Sequence, residues 1–410
     1  MIRIISQNAC DELIARLEAR SVAFDPELMQ AVGAIIDDVR KRGDAALIEY
    51  TARFDGVQLT PEELRVDEET LQRSADRVDT GVLAALREAI GNVAMFHQRQ
   101  VEQSWEIAPS EGVRLGQRIT PLDSVGLYVP GGTAAYPSSV IMNVVPAQVA
   151  GVERIVVTTP PRTLSESPAV AAALRELNVT EVYALGGAHA IAALAFGTET
   201  IPRVDKITGP GNKYVAAAKK LVFGVTGIDA IAGPSEVVII ADDTARADFI
   251  AADLLAQAEH GEDASSILIT TSESLASSVA EEVERQTESL PRRAIVTASL
   301  KDFGAIVIAN TIADACEIAN RIAPEHLQLV TRDDDAAAAK IRHAGAIFFG
   351  QHTPEAVGDY VAGPNHVLPT GRTARFSSAL GVYDFVKRTS VLRYSAEAFG
   401  KAVDSIAALA

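Results

Sequence analysis

Hydrophobic and polar positions follow two different patterns along the chain. Residues 8–104 carry apolar side chains at helical spacing, most clearly in the stretches 28–41 and 82–99. From about residue 120 onwards, short β-branched runs alternate with Ala-rich helical stretches. The first part of the chain is therefore predicted to be mainly helical, and the rest to alternate strands with helices.

The alternating part predicts parallel sheets. Strands are predicted at residues 155–159, 182–185, 206–208, 237–241, 266–271, 305–309, 327–331 and 346–349. Helices are predicted at residues 169–177, 188–196 and 247–258, and after Asn212. Strands that alternate with helices of this length form βαβ units with right-handed crossovers. The predicted fold class is α/β, with two Rossmann-like parallel-sheet domains and helical N-terminal and C-terminal appendages.

Composition and charge narrow the class of protein. Of the 410 residues, 48% are hydrophobic and 22% charged, which is typical of a globular protein with about two domains. The net charge of −17 argues against binding to nucleic acid or to an anionic membrane surface. No apolar run reaches the ~18 residues of a membrane span, and the N-terminus lacks the apolar core of a signal peptide. With only two cysteines, Cys10 and Cys316, a cytoplasmic protein is predicted.

A candidate metal site lies at the end of the predicted helix 247–258. Gln257 and His260 are three residues apart and share one helix face, and Gly261 supplies a natural helix end. Imidazole nitrogen and amide oxygen can both bind zinc, although glutamine is an unusual ligand. From spacing alone, a surface helix end with a histidine favoured by the helix dipole is the more common explanation.

Glu325 and His326 form a candidate acid–base pair. Pro324 disfavours helix for the residue before it, so the pair sits at the entrance of the strand predicted at 327–331. Histidine can accept an alcohol proton near neutral pH, and a nearby carboxylate can activate water. As a bare dipeptide, however, Glu-His is common and usually has no catalytic meaning.

A Gly- and Pro-rich loop predicted at 358–366 contains Asp359 and His366. A carboxylate at Asp359 would complete a ligand set with Gln257 and His260 and would partly neutralise a divalent cation. Alone, it could equally cap a solvated turn.

A dinucleotide-binding signature is incomplete. Gly209-Pro210-Gly211 begins a G-x-G-x-x-G pattern, but Tyr214 stands where the third glycine belongs. The Gly-rich loops 129–132 and 186–188 could still bring backbone amides close to a phosphate at a helix N-terminus. From these residues alone, the chain is an α/β enzyme with a candidate metal site.

Taken together, these stretches resemble the histidinol dehydrogenase family. In unbroken order the resemblance is carried by residues 38–46, 126–132, 209–212 and 232–236 and by the Gln257/His260, Glu325/His326 and Asp359 motifs. Members of that family oxidise L-histidinol to L-histidine, the last reaction of histidine biosynthesis, and consume two NAD+. The resemblance therefore implies a zinc- and NAD-dependent oxidoreductase.

The resemblance implies zinc binding by Gln257, His260 and Asp359, which would also meet the substrate. In that family the metal holds the imidazole and amine of the substrate, so its main role is to position the substrate. His326 would contact the substrate and take the alcohol proton, and Glu325 would activate the water that hydrates the bound aldehyde.

Other matched positions concern the substrate and NAD. Ser235 and His366 match substrate contacts, and Tyr128 and Asn212 match positions that contact NAD. His189 stands where the family normally has a third NAD contact, a glutamine. Because histidine is shorter and titratable, NAD affinity and its pH dependence are expected to differ, unless His189 is a structural histidine.

The division into domains follows the same resemblance. Residues 26–127 with 237–380 are predicted to form a large α/β domain with the metal and catalytic residues. Residues 128–236 would form a second α/β domain that contributes to NAD binding. Residues 1–25 would be an N-terminal segment, and residues 381–410 a helical C-terminal tail. Ligands are expected where loops leave the carboxyl ends of the strands.

Family chains form homodimers and continue, after a helix like Ser395 to Ala410, with a Glu-Gly-Leu segment and a histidine. That tail crosses to the partner subunit and supplies a substrate-binding glutamate and the fourth zinc ligand. This sequence ends at Ala410 without them, so weaker metal binding and low turnover are expected. Two alternatives stay open: oxidation of another small polar alcohol, and a folded scaffold that binds NAD or zinc without turnover.

Overall fold

A computed structural model describes residues 2–21, 25–131 and 136–410. Within these ranges the strands are β1 (Arg3–Ser6), β2 (Trp105–Ser110), β3 (Val113–Pro121), β4 (Ser124–Tyr128), β5 (Arg154–Thr159), β6 (Glu181–Ala184), β7 (Lys206–Thr208), β8 (Gly227–Ile228), β9 (Glu236–Ala241), β10 (Ser265–Thr270), β11 (Ala305–Ile308), β12 (His326–Val330), β13 (Ala346–Phe349) and β14 (Val386–Tyr394). Gly132 of the predicted loop 129–132, and Met1 and residues 22–24 of the predicted N-terminal segment, lie outside the described residues.

Most α-helices come between these strands. They are α1 (Cys10–Ser21), α2 (Pro26–Arg42), α3 (Asp44–Asp55), α4 (Glu68–Ala75), α5 (Thr80–Gln98), α6 (Pro137–Ala150), α7 (Thr163–Glu166), α8 (Pro168–Glu176), α9 (Gly187–Phe196), α10 (Lys213–Val222), α11 (Ala247–Ala258), α12 (Glu273–Thr287), α13 (Arg293–Phe303), α14 (Ile312–Ile322), α15 (Asp334–Ala338), α16 (Glu355–Tyr360) and α17 (Ala396–Leu409). In the part of the chain so described, no helix is both long and apolar enough to cross a membrane.

The two predicted parallel sheets are present, which confirms the α/β class. One has six strands in the order β1-β11-β10-β9-β12-β13, and the other has five in the order β6-β5-β4-β7-β8. Every pairing within them is parallel. The five-stranded sheet, and β9 to β13 of the larger sheet, each show the doubly wound order in which the direction of strand addition reverses once. Strands β9 and β10 are buried along their whole length because helices cover both faces of the sheet.

The predicted division of the N-terminal half between the sheets is wrong. Helices α2 to α5 pack around the five-stranded sheet, against α6, α8, α9 and α10, rather than on the six-stranded one. The first residues are not a separate segment, because β1 pairs with β11 and α1 packs on α14. The apolar spacing of an amphipathic helix shows that one of its faces is buried, but it does not show against which sheet the helix packs.

The C-terminal part was predicted as helix and tail, and this is only half correct. Before helix α17, residues 386–394 form strand β14, which pairs antiparallel with β3 in a third sheet of order β14-β3-β2. The side chains of β14 are exposed along almost its whole length. A strand that buries neither face shows no alternation of apolar and polar residues, so its sequence carries no strand signal.

The connection between the two parallel sheets determines where the site lies. Residues 229–235 join the carboxyl end of β8 directly to the amino end of β9. The carboxyl edge of the five-stranded sheet is therefore next to the amino edge of the six-stranded sheet. The loops predicted to bind NAD leave the first of these edges, whereas Glu325 and His326 stand at the second. Glu325 and His326 thus lie at the amino end of β12, at the strand entrance where Pro324 predicted them.

Candidate active site

His326 is the first residue of β12 and lies beside the first residue of β9, Glu236. Its Nδ1 is 3.1 Å from the carbonyl oxygen of Glu236, and the backbone N–H of Glu236 donates to Oε2 of Glu325 over 3.0 Å. A proton on Nδ1 is thereby engaged, which leaves Nε2 as the nitrogen that can exchange a proton with a ligand. Nε2 of His326 is buried and has no hydrogen-bond partner among the described residues.

Two carboxylates of helix α16 face that nitrogen. Oε1 of Glu355 and Oδ1 of Asp359 are each 3.9 Å from Nε2 of His326. The two acids are four residues apart and share one face of the helix. Asp359 therefore lies on a helix, not on the predicted loop 358–366, since α16 spans Glu355–Tyr360.

The same carboxylates form a candidate cation site with His260. Ligand atoms of His260, Glu355 and Asp359 all lie within 4.8 Å of one another. Nδ1 of His260 is 3.1 Å from the carbonyl oxygen of Ala256, so a proton on Nδ1 leaves Nε2 free for an ion. One imidazole nitrogen with carboxylate oxygens is a donor set that zinc accepts, so these residues fit such an ion.

Gln257 joins this cluster from the last turn of α11, where it is fully buried. We assign its amide so that the nitrogen points to Glu355, because both carboxylate oxygens then accept, at 2.9 and 3.2 Å. The amide oxygen consequently points away from Glu355. The three residues predicted as zinc ligands, Gln257, His260 and Asp359, are thus brought together by the fold.

Burial and negative charge shift the proton equilibria of the cluster. Burial raises the pKa of Glu325 to about 8, with His326 opposing the shift. For His326, burial disfavours the charged form, but Glu355, Glu325 and Asp359 outweigh it and raise the pKa to about 10. Burial also raises the pKa of Glu355. Burial opposes ionisation of Asp359 as well, but His326, His366 and His260 together outweigh it and keep the pKa of Asp359 lowered. A buried site with more carboxylates than cationic groups is suited to a divalent cation.

Glu355 was not identified from the sequence as a candidate site residue. Pro354 precedes it at the N-cap of α16, and Asp359 follows four residues later. A proline before an acidic first turn is a helix-start signal, and it would have placed both carboxylates on one face. The nearby glycines at 358 and 363 and Pro364 obscured this short helix.

The two predicted substrate contacts lie beside the cluster. Ser235 directly precedes Glu236, and its carbonyl oxygen accepts a hydrogen bond of 3.0 Å from the backbone of Ser265. His366 is partly buried, and its Nε2, which is itself buried, has no hydrogen-bond partner among the described residues. Burial lowers the pKa of His366, with Asp359 opposing the shift.

The predicted NAD residues lie on the carboxyl edge of the five-stranded sheet. Tyr128 ends β4, and its hydroxyl accepts a hydrogen bond of 3.1 Å from the backbone N–H of Gly187. Asn212 caps α10, where its side chain accepts from Tyr214 and Val215 at 3.0 and 3.2 Å. Strands β4 and β7 are neighbours at the point where the strand order reverses, which is where such sheets bind ligands.

His189 lies deeper than the other two. It is buried in α9, with Nε2 3.2 Å from the hydroxyl of Thr51 and its ring tilted against Tyr50 and Phe54. Burial lowers its pKa to about 4. The ring is therefore neutral at physiological pH, and its Nδ1 has no hydrogen-bond partner among the described residues.

Known proteins agree with this architecture. A profile of the histidinol dehydrogenase family matches residues 18–410. Histidinol dehydrogenase of Geobacillus kaustophilus is 58% identical over 385 residues, which are 94% of this chain and 90% of the relative. That of Bacillus licheniformis is 52% identical over 410 residues, covering 100% of this chain and 95% of the relative. The crystal structure of histidinol dehydrogenase from Elizabethkingia anophelis matches with a TM-score of 0.93 at 36% identity, over 99% of this chain and 93% of that chain. The chain therefore belongs to the histidinol dehydrogenase family.

Proposed function

We propose that this protein oxidises L-histidinol to L-histidine in two NAD-dependent steps, with the aldehyde held between them. The observation that carries the proposal is the position of Nε2 of His326, unpartnered and 3.9 Å from the carboxylates of Glu355 and Asp359. A proton acceptor lies next to a candidate ion site. This arrangement suits the oxidation of an alcohol whose nitrogens also bind a metal.

Gln257, His260 and Asp359 are the proposed zinc ligands. A bound zinc would supply the positive charge that holds the imidazole and amine of the substrate in place. Glu355 accepts from the amide of Gln257 and so keeps the amide oxygen turned away from itself. We propose that Glu355 orients this ligand, and that Ser235 and His366 line the substrate site beside it.

With a bound zinc offsetting the charge of Glu355 and Asp359, the carboxylates that raise the pKa of His326, the imidazole would be neutral. In the first step, its Nε2 then takes the hydroxyl proton of the substrate while the hydride on the carbinol carbon leaves for NAD+. The carbonyl oxygen of Glu236 accepts from Nδ1, so it stabilises the imidazolium that this transfer creates. In the second step, Glu325, which is ionised above its pKa of about 8, takes a proton from the water that adds to the aldehyde. The hydrate then gives its hydride to a second NAD+ and a hydroxyl proton to His326, which has passed its first proton to solvent. The carboxylic acid so formed ionises to the carboxylate.

Tyr128, Asn212 and His189 are the proposed NAD-binding residues. Their edge of the five-stranded sheet adjoins the amino edge of β9 and β12, because residues 229–235 join the two edges. This arrangement allows a dinucleotide bound at one edge to present its nicotinamide to an alcohol held at the other.

The stoichiometry of NADH formation tests the proposal. Incubation of the zinc-loaded protein with limiting L-histidinol should yield two NADH per histidinol, with histidine as the product. Removal of the metal with a chelator should slow the reaction, and added zinc should restore it. A preference for an alcohol without an imidazole, or no NADH with any alcohol of a panel, would contradict the proposal.

A homodimer is proposed from an exposed apolar surface, which we call the end surface. It consists of Trp105, Ile107 and Leu392 of the antiparallel sheet, with Phe399 and Ile406 of α17, all at least half exposed. Large apolar side chains exposed in this number are typical of a protein interface. Light scattering should show a dimer that Phe399→Asp/Ile406→Asp dissociates, whereas Phe223→Asp, at an exposed site elsewhere, should not.

The cytoplasm is the proposed location. Both cysteines, Cys10 and Cys316, are buried free thiols, as expected for a protein of a reducing compartment. Fractionation of the cells that make the protein would test this.

A further inference from the structure

A buried ion pair lies directly beneath the loop that follows β7. Nζ of Lys219 on α10 contacts Oδ1 of Asp229, which follows β8. Only 3% of the Lys219 side chain and 5% of the Asp229 side chain are exposed. Burial of two charges costs much of what their attraction contributes, so such a pair is weak evidence for stability. Its remaining hydrogen bonds show what it does.

Both members of the pair bind the same residue. The backbone N–H of Gly209 donates to Oδ2 of Asp229 over 2.8 Å, and Nζ of Lys219 donates to the carbonyl oxygen of Gly209 over 3.1 Å. The two peptide groups of Gly209 are therefore held from both sides by charged partners, which form stronger hydrogen bonds than neutral ones.

Gly209 is where the loop meets the end of β4. Its φ of +113° lies in a region that glycine alone adopts readily, and a Cβ there would collide with the carbonyl oxygen of Tyr128. Three residues later, Asn212 caps α10. A free glycine would let this loop sample many conformations, and the ion pair holds the one in which Gly209 lies against the backbone of Tyr128 and Asn212 caps α10.

We infer that Lys219 and Asp229 are positioning residues that hold the loop 209–212 ready for the dinucleotide. This inference rests on the proposed binding of NAD by Tyr128 and Asn212. The pair acts through the backbone of Gly209 and does not itself touch the cofactor. Its contribution is preorganisation, because a loop that is already ordered loses less entropy when the ligand binds.

The test compares the replacement of this buried ion pair with the replacement of a partly exposed ion pair, both in the zinc-loaded enzyme. In Lys219→Met/Asp229→Leu both charges are replaced by apolar side chains, so no unpaired charge remains buried. The matched control is Arg154→Met/Glu181→Leu, which removes an ion pair of 2.8 Å at the opposite, amino edge of the same sheet. Conservative Lys219→Arg, which keeps the charge and the donors, is the rescue variant.

The readouts are the Kd for NADH, the KM values for NAD+ and histidinol, kcat, and the unfolding temperature. Lys219→Met/Asp229→Leu should weaken NADH binding and raise the KM for NAD+ by about tenfold, as expected for the loss of a charge-assisted hydrogen bond. The KM for histidinol should stay within about twofold. Lys219→Arg should recover most of the NADH affinity, and the control should leave both KM values unchanged.

Two results would overturn the inference. One is an unchanged Kd for NADH in a folded Lys219→Met/Asp229→Leu variant. The other is an equal loss for NAD+ and histidinol together with a lower unfolding temperature, which would mean a structural role only. If the unaltered enzyme itself binds no NADH, the proposed function fails, and this inference fails with it. The unaltered enzyme therefore separates the two failures.

Discussion

The imidazole of His326 is held by the backbone of Glu236, whose carbonyl oxygen is 3.1 Å from Nδ1. The same residue donates its N–H to Glu325 over 3.0 Å, so one stretch of β9 orients both members of the proposed catalytic pair. Because these bonds use backbone atoms, the geometry depends on the pairing of β12 with β9, in which His326 lies opposite Val237. Substitutions at positions 325 and 326 can therefore change the chemistry without moving the strand.

His326→Asn should remove the proton acceptor while its side-chain amide can still donate to Glu236. We expect kcat to fall by about 10²- to 10⁴-fold, the usual contribution of a general base. Zinc content and NADH affinity should be unchanged, since the proposed ligands and the dinucleotide site are intact. The exposed His352 offers a matched control, and His352→Asn should have normal kinetics. A kcat within threefold of that control would rule out His326 as the base.

Glu325→Gln should separate the two oxidations. Glutamine can still accept the hydrogen bond from the backbone of Glu236, but it cannot take a proton from water. The first hydride transfer should proceed while hydration of the aldehyde slows. Rapid mixing should then show one fast NADH per site followed by a slow phase, with an aldehyde that a hydrazine reagent can trap. Two equally fast NADH would show that Glu325 does not activate the water.

Glu355→Ala should weaken the metal site without removing any of the three proposed ligands. Loss of a group that orients a metal ligand typically lowers affinity about 10- to 100-fold. Competition with a chromophoric chelator measures the zinc affinity directly, independent of turnover. Glu281→Ala, which removes an exposed carboxylate of helix α12, is the control for net charge. Equal zinc affinities in the two variants would exclude a role of Glu355 at the metal.

His189 should make stability depend on pH. Its folded pKa of about 4 lies below the ordinary value of 6.5, so on acidification the unfolded chain takes up a proton before the folded one does. Its stabilising contribution is complete above about pH 6.5 and is lost as the pH falls towards 4, by about 2 kcal/mol at pH 5. In His189→Gln this loss is absent, so the urea midpoint should fall less between pH 7.5 and 5.

The control for this experiment is His352→Gln, because His352 is exposed. That variant should follow the unaltered protein at both pH values. If His189→Gln also follows it, then His189 does not stay neutral inside the folded protein. NADH affinity measured on the same samples would show whether the glutamine, the usual residue of the family, improves cofactor binding.

Local pattern determined the elements of this protein. Buried parallel strands require continuous apolar runs, and these are visible in the sequence, so the predicted strands 237–241 and 305–309 match β9 and β11 to within one residue. The helix 247–258 also coincides with α11, although its C-cap is Glu259 and the predicted helix end Gly261 lies two residues further on. The alternation of such elements was enough to predict two doubly wound sheets.

Resemblance in sequence selected Gln257, His260, Asp359 and the Glu325/His326 pair, but their arrangement depends on distant parts of the chain. The docking of α16 against α11 brought in Glu355, and the pairing of β12 with β9 placed His326 on the carbonyl oxygen of Glu236. Long-range contacts likewise determine on which sheet α2 to α5 pack. They also determine that residues 386–394 form strand β14, by pairing with β3. Spacing along the chain shows only which residues are neighbours within a few positions. The site forms where several distant elements meet, so only the tertiary structure determined its arrangement.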